Sequence, residues 1–282
     1  MATRIGIRYA FDSSCLAGAL IHGQLDVYYP SETHESFPVL FFVYGGGFIL
    51  GNRKFTARRA PICQPRSLLC QTRDPNGNTG LSPAPRSTLP RAHGRRTGRD
   101  GLGSRYANQV TSERNLKVDL DSIFMMGHSA GATIASTLLL HPTLLPAPLR
   151  ARIRGINLAG GEYKQRRDGV MAGILTQLYG AWDAVEENMP SALLKRLPES
   201  IVSGFPDVIV MVSERDPDGA IEANEEWISM LRETLGKDVR LFVMKRHNHF
   251  SPMLALWSGD GEEWAVEFDR WMKARVGSST GQ

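Results

Sequence analysis

The sequence predicts an α/β protein whose mostly parallel sheet carries helices on both faces. Short continuous apolar runs, such as 38–44 and 207–213, alternate along the chain with helical patterns. Such runs are typical of strands buried on both faces, and their alternation with helices predicts parallel pairing. The chain has 282 residues, of which 42% are apolar and 22% charged, so it can bury one sizeable core. We therefore expect a single domain over 1–282.

The individual elements follow from local patterns in chain order. An alternating segment that ends at Pro30 predicts an early edge strand over 24–30, and three glycines close the apolar run at 38–44. Further strands are expected at 122–127, 153–159, 207–213 and 239–244, and helices at 130–140, 221–235 and 262–274. Short helical patterns within 162–205 predict a small cap. Its apolar residues either line a substrate pocket or pack the cap on the sheet: Tyr163, Leu175, Leu178, Tyr179 and Trp182.

Residues 56–100 depart from this pattern. They contain nine arginines, two acidic residues and no lysine, so they account for the basic charge of a chain whose formal net charge is +4. Six prolines, no aromatic residue and no sustained periodicity predict a disordered basic insertion. A parallel sheet needs a further strand and a crossover helix between the strands near 43 and 125, and this segment supplies no visible strand.

Three interpretations of 56–100 remain open. The segment is a basic insertion that binds an anionic partner, an unusual surface loop, or the product of a shifted reading frame or a retained intron. We favour the last, because the surrounding pattern requires a strand and a helix here. Nucleic-acid binding is not expected, since the basic charge is confined to this one segment.

Residues 127–131 read Gly-His-Ser-Ala-Gly and match the G-x-S-x-G motif. The match alone is weak, but a buried strand precedes it and a helix rich in small residues follows it, as a nucleophile elbow requires. The turn would hold Ser129 above the carboxyl ends of the strands at a helix N-terminus, where developing negative charge is stabilised. The alternative is a tight turn with a capping serine, which the flanking strand and helix make the weaker interpretation.

A serine nucleophile needs a general base and an acid that orients the base. In this type of sheet, the acid and then the histidine follow the serine along the chain. His247 and His249 both follow the last predicted strand, and their positions leave the choice between them open. The candidate acids after strand 207–213 are Glu214, Asp216 and Asp218. Asp216 is favoured because Pro217 stiffens the turn after it, whereas Asp218 suits the N-cap of the next helix.

A developing oxyanion needs two or three backbone N–H donors. One is expected from Ala130, the residue after the nucleophile, and the others from the three glycines that follow Tyr44. Glycines leave their amides unshielded and adopt unusual dihedral angles. A plain glycine turn is the alternative, but its pairing with the elbow favours an oxyanion hole.

With these pieces in place, the chain resembles the α/β-hydrolases. The likeness is to the esterase/lipase branch with a His-Gly-Gly-Gly signature, and especially to fungal esterase-like members akin to kynurenine formamidase. The matching segments are 44–48, 127–131, 213–217 and 247–249. The resemblance implies the α/β-hydrolase fold, His249 rather than His247 as the base, and oxyanion donors at Gly46, Gly47 and Ala130.

The sequence thus predicts a serine hydrolase that cleaves carboxylic esters of small to medium size through Ser129, His249 and Asp216. Aryl formamides and thioesters are alternative substrates, and a place in fungal secondary metabolism fits the resemblance. Tyr44 replaces the usual histidine of the glycine signature, which is tolerable because the amides act there. The alternative of a different class is an inactive relic or a binding protein of hydrolase fold, because 56–100 lack the family's strand and helix.

No cofactor or metal ion is expected for this chemistry, and no phosphate-binding loop is visible. The expected partner is a small-molecule ester or amide, and the sequence does not define the oligomeric state. No stretch reaches the roughly 18 apolar residues of a membrane span. Three cysteines and the lack of a clear signal peptide predict a cytoplasmic protein.

Overall fold

The computed structural model describes residues 3–10, 22–29, 36–48, 68–73, 118–256 and 258–276. Within these residues the chain forms one eight-stranded sheet of order β1-β2-β4-β3-β5-β6-β7-β8. The strands are β1 (Thr3–Ala10), β2 (His22–Tyr29), β3 (Phe37–Val43), β4 (Leu68–Arg73), β5 (Val118–His128), β6 (Ile153–Ala159), β7 (Asp207–Arg215) and β8 (Arg240–Asn248). Pairs β1–β2 and β2–β4 are antiparallel, and every pair from β4 to β8 is parallel. The predicted mostly parallel sheet is confirmed.

Helices follow the parallel strands and cover the sheet. The described helices are α1 (Ala130–Leu140), α2 (Ala147–Arg150), α3 (Ala172–Tyr179), α4 (Trp182–Asn188), α5 (Pro190–Lys195), α6 (Glu199–Val202), α7 (Ala220–Leu235), α8 (Ser251–Ala255) and α9 (Glu263–Val276). Helix α1 and strand β6 have the predicted bounds. Helix α7 ends where expected, because Gly236 caps it in the left-handed conformation at φ 62°.

The core occupies both faces of the sheet, because successive side chains of a strand point in opposite directions. In β5, Ile123 and Met125 belong to an apolar cluster shared with α1 and α7. The intervening Phe124 and Met126 belong to a second cluster, shared with α9. This double burial is the reason that the central strands have continuous apolar sequences.

The first strands differ from the prediction. The segment expected as an edge strand forms β2, but β2 is interior, since it pairs with β1 on one side and with β4 on the other. The expectation that 56–100 supply no strand is wrong for Leu68–Arg73, which form β4 between β2 and β3. The segment has no alternating apolar pattern of its own, and its pairing with β2 and β3 makes it a strand. The remainder of 56–100, with its predicted disorder, lies outside the described residues.

Residues 162–205 contain helices α3 to α6. Helices α3 and α4 form a third apolar cluster next to the start of α1, with the members Phe48, Ala130, Leu175, Trp182, Val185 and Met189. Tyr163 lies instead in the core, stacked on Trp227 with 4.5 Å between ring centroids. Of the candidate pocket residues, Tyr163, Leu175 and Trp182 are therefore buried packing residues. That α3 to α6 form a cap stays a prediction.

Among the described residues, none of the helices combines the length and apolar character needed to cross a bilayer.

Candidate active site

The turn from β5 into α1 has the geometry expected of a nucleophile elbow. Ser129 adopts φ 56° and ψ −128°, which is strained for a residue with a side chain. Two glycines allow the close approach that this turn needs. A Cβ at position 127 would come within 2.5 Å of Ala132 Cα, and one at position 131 within 2.0 Å of the Val43 carbonyl oxygen. The motif glycines are thus required by contact with backbone atoms on both sides of the serine.

Three predicted side chains meet above the carboxyl edge of the sheet. His249 Nε2 lies 2.8 Å from Ser129 Oγ, and His249 Nδ1 lies 2.8 Å from Asp216 Oδ1. An ionised carboxylate only accepts, so Nδ1–H donates to Asp216 and Nε2 is left to accept the serine O–H. Three strand ends position these groups, because Ser129 follows β5, Asp216 follows β7 and His249 follows β8.

The Asp216 carboxylate is held rigidly. Its side chain is only 1% exposed, and its second oxygen accepts the Ser213 N–H at 2.7 Å. The Asp216 N–H in turn donates to the Ser213 carbonyl at 3.1 Å. This closed turn at the end of β7 leaves Oδ1 directed at the imidazole.

Gly160, at the end of β6, makes room for the histidine. It has φ 55°, and a Cβ there would lie 3.2 Å from His249 Cε1 and 3.6 Å from Asp216 Oδ2. The glycine pair at 160–161 was visible in the sequence as the end of a strand, but its contact with a ring about ninety residues away was not. Four neighbouring strands therefore contribute to one site.

The alternative base His247 and the alternative acid Glu214 lie away from Ser129. His247 is buried, with Nε2 donating to the Gly261 carbonyl at 2.8 Å and Nδ1 2.9 Å from Ser251 Oγ. Glu214 accepts the Arg246 N–H at 2.8 Å and pairs with Lys245 at 3.1 Å, and these two contacts lower its pKa. Neither residue contacts Ser129.

Asp218 does not have the N-cap position suggested for it. Helix α7 begins at Ala220, so its N-cap is Gly219 and not Asp218. Gly219 has φ 79° and makes no side-chain capping bond. A left-handed residue at this position suits glycine.

The glycine turn after β3 packs directly against the elbow. A Cβ at Gly45 would lie 2.7 Å from Ser129 Cβ. The next three residues, Gly46, Gly47 and Phe48, have φ values of 140°, 58° and 65°. Glycine explains the first two, whereas Phe48 keeps its left-handed conformation with its side chain buried in the α3–α4 cluster. Two of the predicted oxyanion donors, Gly46 and Gly47, thus lie on a turn packed beside Ser129, and the third, Ala130, follows Ser129 at the start of α1.

Sequence reasoning overlooked His128, the variable residue of the motif. Its side chain is buried, and Nε2 lies 2.7 Å from the main-chain oxygen of His249. Burial, helped by charge on the neighbouring His249, lowers the pKa of His128 to about 4. His128 is therefore neutral at pH 7. Only its position next to the serine could have singled it out.

A metal centre has no support in the described part of the chain, where no group of three or more histidine, cysteine or acidic side chains is arranged to hold an ion.

Comparisons with known proteins agree with this architecture. The kynurenine formamidase of Salmo salar is 23% identical over 242 residues, which cover 84% of this chain and 74% of that protein. A fungal esterase from Rhizomucor miehei superposes with a TM-score of 0.60 at 17% identity, covering 97% of this chain and 83% of the other. Esterase B from Lactobacillus rhamnosus gives 0.61 at 15% identity, covering 97% and 85%. No protein-family model matches the chain.

Sheet order, elbow and solved structures together define the fold. The chain has the α/β-hydrolase fold, as the sequence resemblance implied. A fold supports many activities, so the geometry of the site, and not the fold, bears on the function.

Proposed function

We propose that this protein is a serine hydrolase that cleaves carboxylic esters of small to medium size. The observation that carries the proposal is the unbroken hydrogen-bond chain from Ser129 through His249 to Asp216, with 2.8 Å at each step. The strained serine and the glycine turn packed beside it give further support. Together they supply what acyl transfer needs, namely a nucleophile, an oriented base and a place for an oxyanion.

In the proposed reaction, Ser129 Oγ attacks the carbonyl carbon of the ester while His249 Nε2 takes the serine proton. Asp216 stabilises the imidazolium that forms. The amides of Gly46, Gly47 and Ala130 stabilise the oxyanion. The bond from the carbonyl carbon to the leaving oxygen then breaks, and this oxygen takes the proton from His249. Water attacks the acyl-enzyme by the same route and releases the acid.

A second candidate substrate is an aryl formamide, and a thioester is a third. The formamide is favoured by the similarity to a protein named kynurenine formamidase. The same groups would serve, since His249 can protonate a leaving nitrogen or sulfur as well as an oxygen.

The region 162–205 supports a bounded substrate site. A Cβ at Gly47 would lie 3.6 Å from the Met171 methyl carbon, so this segment reaches the oxyanion turn. We propose that α3 to α6 form the cap over the acyl group.

The alternative of an inactive relic was based on a missing strand and a missing helix in 56–100. Strand β4 occupies the place in the sheet where that strand was required, whereas the expected helix lies outside the described residues.

A fluorophosphonate probe tests the proposal, because it phosphonylates only an activated serine. The wild-type protein should be labelled, and Ser129→Ala should not. Ser136→Ala, which removes another buried hydroxyl in α1, is the matched control and should be labelled like the wild type. Hydrolysis of p-nitrophenyl acetate should fall by at least about 10⁴-fold in Ser129→Ala.

Two outcomes would contradict the assignment. A folded wild-type protein without labelling would favour the relic, and labelling retained in Ser129→Ala would place the nucleophile elsewhere. Initial rates on phenyl acetate and N-formylaniline then separate the ester from the formamide.

A further inference from the structure

His128 connects the nucleophile strand to the segment that carries the base. It is the last residue of β5, and its ring centroid lies 5.0 Å from that of His249, with 37° between the ring planes. The 2.7 Å contact joins His128 Nε2 to the main-chain oxygen of His249, not to its ring. Since a carbonyl oxygen only accepts, His128 Nε2 carries a hydrogen and donates it.

The segment around His249 needs an anchor of this kind. His249 and Phe250 form a two-residue connection between β8 and α8, and the Phe250 side chain is 66% exposed. Asn248 Oδ1 accepts the N–H groups of Phe250 and Ser251 at 3.0 Å each, which shapes the turn locally. These bonds stay within the segment, whereas the His128 bond ties the segment to a strand 121 residues away.

We propose that His128 is a positioning residue, which holds the main chain of His249 against the elbow so that the imidazole stays in line with Ser129. This inference rests on the proposed function. A displacement of about 1 Å in such a contact can reduce a rate by about 100-fold. The strained serine cannot follow a displaced base, because Gly127 and Gly131 fix the elbow against backbone on both sides.

The chemistry of histidine fits this task. It is a donor that remains neutral when buried, and burial lowers its pKa to about 4. A lysine or arginine would place a positive charge beside His249 and oppose the imidazolium that forms there. An apolar residue would leave the His249 carbonyl without this donor.

The test compares His128→Gln with His128→Met. The two side chains have similar length and volume, but only glutamine carries an N–H at the position of Nε2. On p-nitrophenyl acetate, His128→Met should lower kcat by about 10- to 100-fold with KM within about threefold of the wild type. His128→Gln should restore kcat to within about fivefold of the wild type.

Equal kcat values for the two variants would overturn the inference, because the ring would then act by shape alone. A merely structural role would lower thermal stability in both variants without separating their kcat values. Leu231→Ala, a buried change in α7, is the control for stability and should leave kcat near the wild-type value.

A second measurement needs no variant. Nitrogen NMR of the wild-type protein at pH 7 should show His128 as the Nε2–H tautomer, and an Nδ1–H tautomer would overturn the inference. This readout does not depend on turnover. A protein that the fluorophosphonate does not label would refute the proposed function while still reporting on the His128 bond.

Discussion

The buried imidazole of His128 should make the stability of the protein depend on pH in a way that one substitution removes. The perturbation is His128→Gln, which keeps a donor but cannot titrate. We compare the free energy of unfolding of the two proteins at pH 7, pH 5.5 and pH 4.

The magnitude follows from the lowered pKa. Burial is the main cause and the charge on His249 adds to it, so the pKa of His128 falls from 6.5 to about 4 in the folded protein. The unfolded chain then binds this proton more readily, and stability decreases as the pH falls from 6.5 towards 4. Each tenfold change in a proton dissociation constant corresponds to about 1.4 kcal/mol, which gives a loss of about 3 kcal/mol. No reduction for solvent screening applies, since the ring is 7% exposed.

Urea unfolding followed by circular dichroism provides the assay. The wild type should lose about 3 kcal/mol more than His128→Gln between pH 7 and pH 4. His141→Gln is the control. Burial and the neighbouring Arg196 and Arg150 also lower the pKa of His141, but its ring is only partly buried, so this variant should remove a smaller part of the pH dependence than His128→Gln. Parallel pH curves for the wild type and His128→Gln would refute the reasoning, since His128 would then ionise alike in both states.

Further predictions concern glycines and one leucine. Gly160→Ala should lower kcat on p-nitrophenyl acetate by about tenfold, because its Cβ would press on the His249 ring at 3.2 Å. Gly155→Ala should destabilise the protein by about 1–3 kcal/mol in urea, since its Cβ would meet the Trp271 ring at 2.5 Å. Gly173→Ala, with nothing within 4 Å, should instead be neutral or stabilising by about 1 kcal/mol. Leu175→Ala, in the α3–α4 cluster, should cost about 2–5 kcal/mol by the same measurement.

Local pattern was sufficient where burial imposes a strong periodicity. The bounds of helix α1 and strand β6 could be predicted from the sequence. The small and apolar residues of α1 stop at His141, and the apolar residues of β6 stop at Gly160. The serine and the two strand ends that carry the predicted acid and the predicted base were visible for the same reason. A G-x-S-x-G match acquires meaning from the strand before it and the helix after it.

Features decided by distant contacts could not be predicted. Strand β4 has no alternating pattern of its own, and its pairing with β2 and β3 defines it. The hydrogen bond of the His128 ring is to a carbonyl 121 residues away. Helices α2, α6 and α8 are short, at 4, 4 and 5 residues, and tertiary packing stabilises them rather than helix propensity.

The sheet order separates strand β4 from the residues around Ser129. Ser129, Gly160, Asp216 and His249 follow β5 to β8, whereas β4 lies on the far side of β3. A substitution that disrupts β4 should therefore act first on its partners β2 and β3. Through β3, which pairs with β4 from Val39 to Phe42, it should reach the glycine turn. Under the proposed function, such a substitution should weaken oxyanion stabilisation before it disturbs the contact between Ser129 and His249. Fluorophosphonate labelling together with slow turnover is thus the expected result of damage in β4, whereas loss of both would indicate that the contacts among Ser129, His249 and Asp216 are disordered.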